Sequence, residues 1–373
     1  MLKIGFDAKR LFHNTTGLGN YSRSLVRSLK EYYPENNYVL FSPSITYNEE
    51  SYYFTKNFEV ITPGILSSKA LWRTNFMIKS LMDKEIDIYH GLSHELPIGL
   101  GETGIKSVVT IHDLIYKLFP HDFPLIDKKI YDIKWHNACM NADAIIATSE
   151  ATKRDIIAHF NIDPQKIHVV YQTCSDIFDQ RYSDEAKRET LEKNGIPKQY
   201  MLYVGAIMER KNVLNIVKAY ERIRDKINIP LLIVGKGRNY HKQIVAYIEK
   251  KHLQDQIIIR SDIGNDILPI VYQCAEMFLY PSQYEGFGIP ILEAFKSGTP
   301  AIISNTSSLP EVGGNAGYYV DPYKVESIAQ AMLDIHGNPN LRNHMINEGY
   351  EQVKKFTLEN FAKQTYDVYS TLI

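Results

Sequence analysis

Tyr280-Pro-Ser-Gln-Tyr-Glu-Gly-Phe-Gly-Ile-Pro-Ile-Leu-Glu-Ala-Phe-Lys-Ser-Gly-Thr-Pro300 sets two carboxylates, Glu285 and Glu293, on either side of a Gly-Phe-Gly turn. The apolar run Met277, Phe278, Leu279, Tyr280 reads as a buried strand. Pro290 followed by Ile291, Leu292, Ala294 and Phe295 reads as a helix with proline in its first turn. Glu285 therefore belongs to a strand-to-helix loop. Glu293 falls one turn into the helix, so both acids are expected to face the mouth of that loop, together with the amides of Gly286, Phe287 and Gly288. A helix N-terminus attracts anions. Carboxylates beside it repel a bare phosphate and instead accept hydrogen bonds from hydroxyl groups. The ligand suited to both is a polyol carrying phosphate, a nucleotide or sugar nucleotide.

The same alternation of strand and helix continues on both sides. Before the stretch come Met201-Leu-Tyr-Val-Gly205, a helical pattern over Val213 to Arg224, Leu231-Leu-Ile-Val-Gly235, a helix from Tyr240, the strand Ile257-Ile-Ile259 and a helix over 266–273. After it come Ala301-Ile-Ile-Ser304, the loop Ser308 to Val312, Tyr318 to Pro322, helices over 325–335 and 341–355, and a last amphipathic pattern through Leu358, Phe361, Ala362, Tyr366, Val368, Tyr369 and Leu372. Apolar strands alternating with helices imply an α/β domain with a largely parallel sheet, whose ligands bind at the carboxyl ends of the strands.

The first half repeats the theme. Leu2 to Asp7 is a strand, followed by the loop His13-Asn-Thr-Thr-Gly-Leu-Gly-Asn20 and a helical pattern through Tyr21, Leu25, Val26 and Leu29. Gly17-x-Gly19 lets backbone approach a ligand closely. Ser22 stands where the dinucleotide fingerprint has its third glycine, so a plain tight turn is an equal reading. Further strands are expected at 38–41, 86–89, 108–111, 144–147 and 167–170. Their ends carry His90-Gly-Leu-Ser-His94, His112-Asp113 and Thr148-Ser-Glu150. Past Val170 the apolar runs stop. The expected organisation is a Rossmann-like domain over 1–172, a polar linker region over 173–197 and a second Rossmann-like domain over 198–356.

Composition limits the function classes. A chain of 373 residues accommodates two domains with real cores, and 44% hydrophobic with 23% charged residues is ordinary for a soluble protein. With 42 basic against 43 acidic residues there is no global bias toward nucleic acid, so any anion site must be local. Cys139, Cys174 and Cys274 lie far apart without a C-x-x-C, which suits core residues in a reducing compartment. The N-terminal apolar run is too short for a signal peptide, and no stretch approaches the roughly 18 to 20 apolar residues that span a bilayer. A cytoplasmic protein is expected. The segment 67–82 mixes Leu71, Trp72, Phe76, Met77, Leu81 and Met82 with Lys69, Arg73 and Lys79. It reads as a helix covering the sheet with basic residues outward, or as a peripheral contact with the inner membrane face.

Glu209-Arg-Lys-Asn212 follows Val204-Gly205 at the start of a helix. Two cations at the carboxyl end of a parallel sheet can meet a diphosphate, Arg210 by a bidentate fork and Lys211 as a mobile point charge. A solvated basic pair at a helix start is the commoner arrangement in proteins, but a helix N-terminus disfavours cations, which favours a role toward a ligand. His90, His94, His112 and Asp113 fit no metal-ligand spacing, and no Asp-x-Asp pair is present. His112 suits a polar contact at a strand end, to substrate or to backbone. No G-x-S-x-G elbow is present.

Together, Glu285 and Glu293 in an E-x7-E motif, Glu209-Arg-Lys-Asn212, Gly17-Leu-Gly19, Ile111-His-Asp113, Ala147 to Arg154, Leu279-Tyr-Pro-Ser282 and Ser308-Leu-Pro-Glu311 resemble glycosyltransferase family 4, retaining enzymes of the GT-B fold. The resemblance covers nearly the whole chain. It implies two Rossmann-like domains facing a central cleft, with the donor on the second, the acceptor mainly on the first, and a helix over 357–373 crossing back to the first. It implies that Arg210 and Lys211 neutralise the donor diphosphate and that Glu293 binds ribose. Glu285 with Gly286, Phe287 and Gly288 would hold the transferred sugar, Gly205 would admit the donor, and His112 would contact the sugar from the other domain. Gly17, Gly19 and Asn20 would form an acceptor or phosphate loop. No metal or other cofactor is implied. The donor would be a nucleotide-diphosphate sugar, GDP-mannose favoured over a UDP-sugar, and the acceptor a glycan or lipid-linked glycan in surface polysaccharide or lipopolysaccharide synthesis. Epimerase, phosphorylase and non-catalytic binding roles on the same fold are the alternatives. Two positions depart from the family pattern: Ala206 stands where many members have arginine, and Thr357 or Leu358 where a tryptophan is usual.

Overall fold

Short runs rich in Ile, Val, Leu, Phe and Tyr, too apolar to leave one face in water, pair into two parallel sheets. The computed structural model describes residues 1–64 and 72–373. Contacts divide the chain into two units, Met1–Thr173 with Thr357–Ile373, and Cys174–Phe356.

The first unit holds β1 (Lys3–Asp7), β2 (Asn37–Phe41), β3 (Glu59–Ile61), β4 (Ile88–Gly91), β5 (Lys106–Ile111), β6 (Ala144–Ala147) and β7 (Ile167–Val169). Their order is β3-β2-β1-β4-β5-β6-β7, with Phe6 opposite His90 and His90 opposite Val108. Helices cover both faces, which is why the strands read as nearly continuous apolar runs. Ile4, Phe6, Ile88 and Val108 pack with Tyr21, Leu25 and Leu29 of the Gly17–Tyr32 helix. Val109, Ile111 and Ile145 pack with Ala138, Ile156 and Phe160. The edge strand β3 leaves no sequence signal because its three residues, exposed Glu59 and half-buried Val60 and Ile61, carry no period.

The Leu358–Ser370 helix belongs to this unit. Phe361, Ala362, Val368 and Tyr369 enter the same core, and the Tyr33 and Tyr366 rings stack at 4.0 Å. Thr357, where the family pattern has tryptophan, serves as the N-cap, its Oγ1 accepting from the Asn360 amide at 3.1 Å.

The second unit holds β8 (Met201–Val204), β9 (Leu231–Val234), β10 (Ile257–Arg260), β11 (Met277–Tyr280), β12 (Ala301–Ser304) and β13 (Gly317–Val320), in the order β10-β9-β8-β11-β12-β13. Every strand pair in both sheets is parallel.

Two expectations need correction. The stretch read as a linker, 173–197, belongs to the second unit from Cys174 onward. Asp176–Asp179 forms a 3-10 turn and Asp184–Lys193 an α-helix, with Phe178, Leu191 and Ile196 buried. Lys296 Nζ donates to Asp176 and Asp179 at 2.8 and 2.7 Å, so charges that looked like solvated surface are matched. The helix expected over 67–82 is described only from Trp72. A π-helical turn, Trp72–Phe76, leads into Met77–Asp83, and Lys69 and Leu71 lie outside the described residues. Trp72, Met77 and Leu81 are buried as expected, but Arg73 turns inward because Asp7 and Glu95 offer it counter-charges. Among the described residues no helix is long and apolar enough to cross a membrane. The three cysteines are unbridged, and Cys139 and Cys174 are buried.

Candidate active site

In the second unit the chain leaves β8 toward β9 and leaves β11 toward β12, on opposite sides of an adjacent strand pair. A crevice opens past the carboxyl ends of such a pair. Gly205 follows β8 with φ +151, a conformation that side-chain-bearing residues rarely adopt. The chain then closes a 3-10 turn, Glu209–Lys211, capped by Asn212 in the left-handed region. Asn212 is fixed there by donating from Nδ2 to the carbonyls of Pro281 at 2.9 Å and Pro322 at 2.7 Å. This binds the turn to the end of β11.

From β11 the chain delivers Glu285 toward that turn. The Glu285 amide donates to Ser307 Oγ at 3.0 Å, and Ser308 Oγ reaches the carbonyls of Glu285 and Phe287 at 2.9 and 2.8 Å. Gly288, at φ +118, starts the Ile289–Lys296 helix. Glu285 thereby lies between two cations. Arg210 Nη1 is 3.1 Å from Oε2 and Lys211 Nζ is 2.7 Å from Oε1, while Lys211 also donates to Tyr280 Oη at 2.7 Å. Arg210 further donates to the Tyr284 carbonyl. Burial disfavours the charge on Glu285, but Arg210 and Lys211 outweigh it and hold the carboxyl at a pKa of about 2. At neutral pH it is an ionised acceptor and a very weak base.

The sequence placed both acids at one mouth, but the structure gives them separate partners. Glu293 Oε2 accepts from Tyr272 Oη at 2.9 Å, on the Leu268–Gln273 helix. Burial pushes its pKa up to about 7, against the opposing pull of that hydrogen bond. One carboxylate is thus locked in its charged form, while the other titrates near neutrality.

In the first unit the candidate residues gather around β4 and β5. His112 is buried and its Nε2 lies 2.9 Å from the Leu92 carbonyl. A carbonyl can only accept, so the proton sits on Nε2 and Nδ1 carries a lone pair. Burial lowers the His112 pKa to about 4, against the opposing effect of the Leu92 bond, so the ring is neutral and Nδ1 accepts hydrogen bonds. Tyr21 packs edge-on against it at 4.5 Å and His94 at 5.2 Å, and His94 stacks on Trp135 at 3.8 Å. The four residues His90, His94, His112 and Asp113 do not gather ligand atoms around one point among the described residues. His90 has Tyr369 Oη and Thr110 Oγ1 at 2.6 and 2.8 Å on its two ring nitrogens.

The glycine loop differs from expectation. A Cβ on Gly19 would stand 1.7 Å from the Asn14 carbonyl oxygen, and the Gly19 amide donates to Asn14 Oδ1 at 3.1 Å. Gly19 thus serves the packing of its own loop. Gly17 has open space where a Cβ would go. Asn20 Oδ1 accepts from Arg23 Nη2 at 2.5 Å, and Arg23 also donates to the Leu11 and Asn14 carbonyls. Sequence reasoning missed Arg23, Tyr272 and Ser307, and it placed Tyr280 and Ser308 in motifs without their contacts to Lys211 and to the Glu285 and Phe287 carbonyls. Arg23 left a signal of its own, an arginine on the apolar face of an amphipathic helix.

Two Rossmann-like units in one chain, each with polar side chains collected past the strands where its sheet order reverses, define a protein of the GT-B fold. A family model described as "Glycosyl transferases group 1" matches residues 184–352, and one described as "Glycosyltransferase Family 4" matches residues 15–173. The chain is 28% identical over 387 aligned positions to O-antigen chain mannosyltransferase B of Escherichia coli, covering all of both chains. Among solved structures it resembles a glycosyltransferase from Rickettsia africae, with a TM-score of 0.77 and 17% identity over 100% of this chain and 98% of that one. It also resembles Anabaena HepE, solved with UDP and glucose, with a TM-score of 0.75 and 16% identity over all of both chains. The chain belongs to the group 1 glycosyltransferases of family 4 and is a hexosyltransferase.

Proposed function

We propose that the protein transfers mannose with retention of configuration from a nucleotide-diphosphate sugar, GDP-mannose favoured over a UDP-sugar, to a glycan or lipid-linked glycan in surface polysaccharide synthesis. It would do so without a metal or other cofactor, in the cytoplasm or at the inner face of the membrane. The observation that carries this reading is the placement of Glu285 between Arg210 and Lys211 at the reversal point of the second sheet. The E. coli relative named a mannosyltransferase supports the sugar, and HepE, solved with UDP and glucose, supports a nucleotide donor.

Arg210 and Lys211 stabilise the negative charge that grows on the leaving diphosphate as the bond from the anomeric carbon to the phosphate oxygen breaks. The acceptor hydroxyl forms the new bond on the same face, and its proton goes to an oxygen of the departing phosphate. Glu285, ionised at neutral pH, accepts a hydrogen bond from the transferred sugar. On the first unit, His112 Nδ1 is available to accept a hydrogen bond from a sugar hydroxyl because its ring is neutral. Glu293 accepts from the ribose hydroxyls.

Donor hydrolysis and transfer measured with GDP-mannose and UDP-sugars test the proposal. Lys211→Ala and Glu285→Gln should each lower kcat by about 100- to 1,000-fold, the loss typical of one stabilising group, with unchanged thermal unfolding of the first unit. Wild-type turnover in both variants would overturn the site. A donor sugar isomerised without any acceptor would favour an epimerase.

A further inference from the structure

Lys211 reaches the site on a flexible four-carbon stem, and two groups hold its end. One is Glu285, 2.7 Å from Nζ and shared with Arg210. The other is Tyr280 Oη, which accepts from Nζ at 2.7 Å. Nζ lies 4.9 Å from the centroid of the Tyr280 ring, which with the short distance to Oη places it beyond the hydroxyl and not over the ring face. The contact therefore belongs to the oxygen, and a phenylalanine in the same place would lack it. Tyr280 is buried at the end of β11, and its ring is fixed by stacking on Phe278 at 5.6 Å and Tyr203 at 6.5 Å.

A buried tyrosine hydroxyl needs a partner, and three other buried tyrosines of this unit find it in a backbone carbonyl. Tyr200 donates to Val271 at 2.7 Å, Tyr203 to Ala206 at 2.9 Å and Tyr220 to Ile229 at 3.0 Å. Tyr280 instead receives a cation of the site. The packing of β11 uses only its ring, whereas its hydroxyl acts on Lys211. Burial and the Glu285 charge push its pKa well above the usual 10, so the hydroxyl stays neutral. It orients the ammonium without cancelling its charge, where a further carboxylate would weaken the pull on a phosphate. With two of its three donors directed by Glu285 and Tyr280, Nζ is fixed before the leaving group develops charge, which is the condition for electrostatic stabilisation to cost no reorganisation.

We infer that Tyr280 is a positioning residue whose hydroxyl aims Lys211 at the terminal phosphate of the donor. The inference rests on the glycosyltransferase reading above and adds a residue to its machinery. Tyr280→Phe keeps the ring and removes only the hydroxyl, and Tyr200→Phe is the control, since it removes an equally buried hydroxyl that touches only the Val271 carbonyl. Donor hydrolysis reads catalysis, and calorimetric titration with GDP, GMP, UDP and UMP reads the terminal phosphate without turnover. Tyr280→Phe should lower kcat by about tenfold and raise the Kd of the preferred nucleoside diphosphate by about three- to tenfold, leaving the monophosphate within about twofold, the loss expected for one hydrogen bond to a charged group. Tyr200→Phe should leave both readouts at wild type. In a Lys211→Ala background, Tyr280→Phe should change kcat by less than about twofold, because the group it aims is gone. Losses that multiply in the double variant, or a Tyr280→Phe protein that behaves like Tyr200→Phe, overturn the positioning role and leave the glycosyltransferase reading standing. A wild-type protein that neither hydrolyses nor transfers a donor sugar, yet whose preference for diphosphate over monophosphate shrinks in Tyr280→Phe, supports the positioning role and defeats the glycosyltransferase reading.

Discussion

Glu285 and Glu293 show how two identical side chains on one loop-helix element acquire different chemistry. Glu285 meets Arg210 and Lys211 and stays ionised, whereas Glu293 accepts from Tyr272 and is pushed by burial to a pKa of about 7. Below about pH 4.5 Glu293 is protonated in both folded and unfolded chains. Between there and pH 7 only the folded chain keeps the proton, so its contribution to stability falls as pH rises through that window. Ribose hydroxyls donating to Glu293 would favour its ionised form, so nucleotide binding should expel a proton. Affinity for GDP should therefore rise up to about tenfold per pH unit below pH 7 and level off above it. Calorimetric titration in two buffers of different ionisation heat should show that proton, and Glu293→Gln should remove both effects. A pH-independent affinity with no proton released would mean that Glu293 does not receive the ribose. The spacing of the two acids was legible in the sequence. The partner that separates them was not, because Tyr272 comes from a different helix and only the fold brings it near.

The same division between what the chain announces and what the fold decides holds for elements. Among the described residues, twelve of the thirteen strands were legible from apolar runs, since burial on both faces leaves a dense local signal, and β3 lacked one. Polar elements were harder: the turn and helix within 174–197 are held by Phe178, Leu191 and the distant Lys296, which no local pattern reveals. The glycine loop marks a further limit. Gly17 and Gly19 look equivalent in sequence, yet only Gly19 faces backbone within van der Waals range. Gly19→Ala should destabilise the protein by about 1 to 3 kcal/mol through overpacking. Gly17→Ala should be neutral or stabilising by up to about 1 kcal/mol, since it restricts only the unfolded chain. Urea denaturation distinguishes the two. If the loop also receives a ligand at its open position, Gly17→Ala will raise the KM for donor or acceptor despite unimpaired stability. Equal losses of stability in both variants would show that the Asn14 carbonyl does not discriminate between them.

At the scale of the whole molecule, the two units differ in how the chain builds them. The second is one continuous segment, Cys174–Phe356, whereas the first is completed only by Thr357–Ile373. The returning helix is an integral part of that core: Phe361, Ala362, Val368 and Tyr369 are buried in it, and Tyr369 Oη lies 2.6 Å from His90 Nδ1. Removing the helix would expose Leu25 and Leu29 and leave His90 with one ring nitrogen unpaired in an apolar surround, a loss of several kcal/mol against the 5 to 15 kcal/mol, roughly, that a domain has to spend. A fragment of residues 174–356 should therefore fold alone, unfold cooperatively and bind GDP. A fragment of residues 1–173 should be unfolded or molten, with lost near-ultraviolet circular dichroism, until a peptide of residues 357–373 restores it. Because the peptide binds only the folded fragment, its effect should grow with concentration by mass action. A cooperative melt for residues 1–173 without the peptide would show that the sheet and its own helices suffice. The returning helix would then be an attachment to the first unit rather than part of its core.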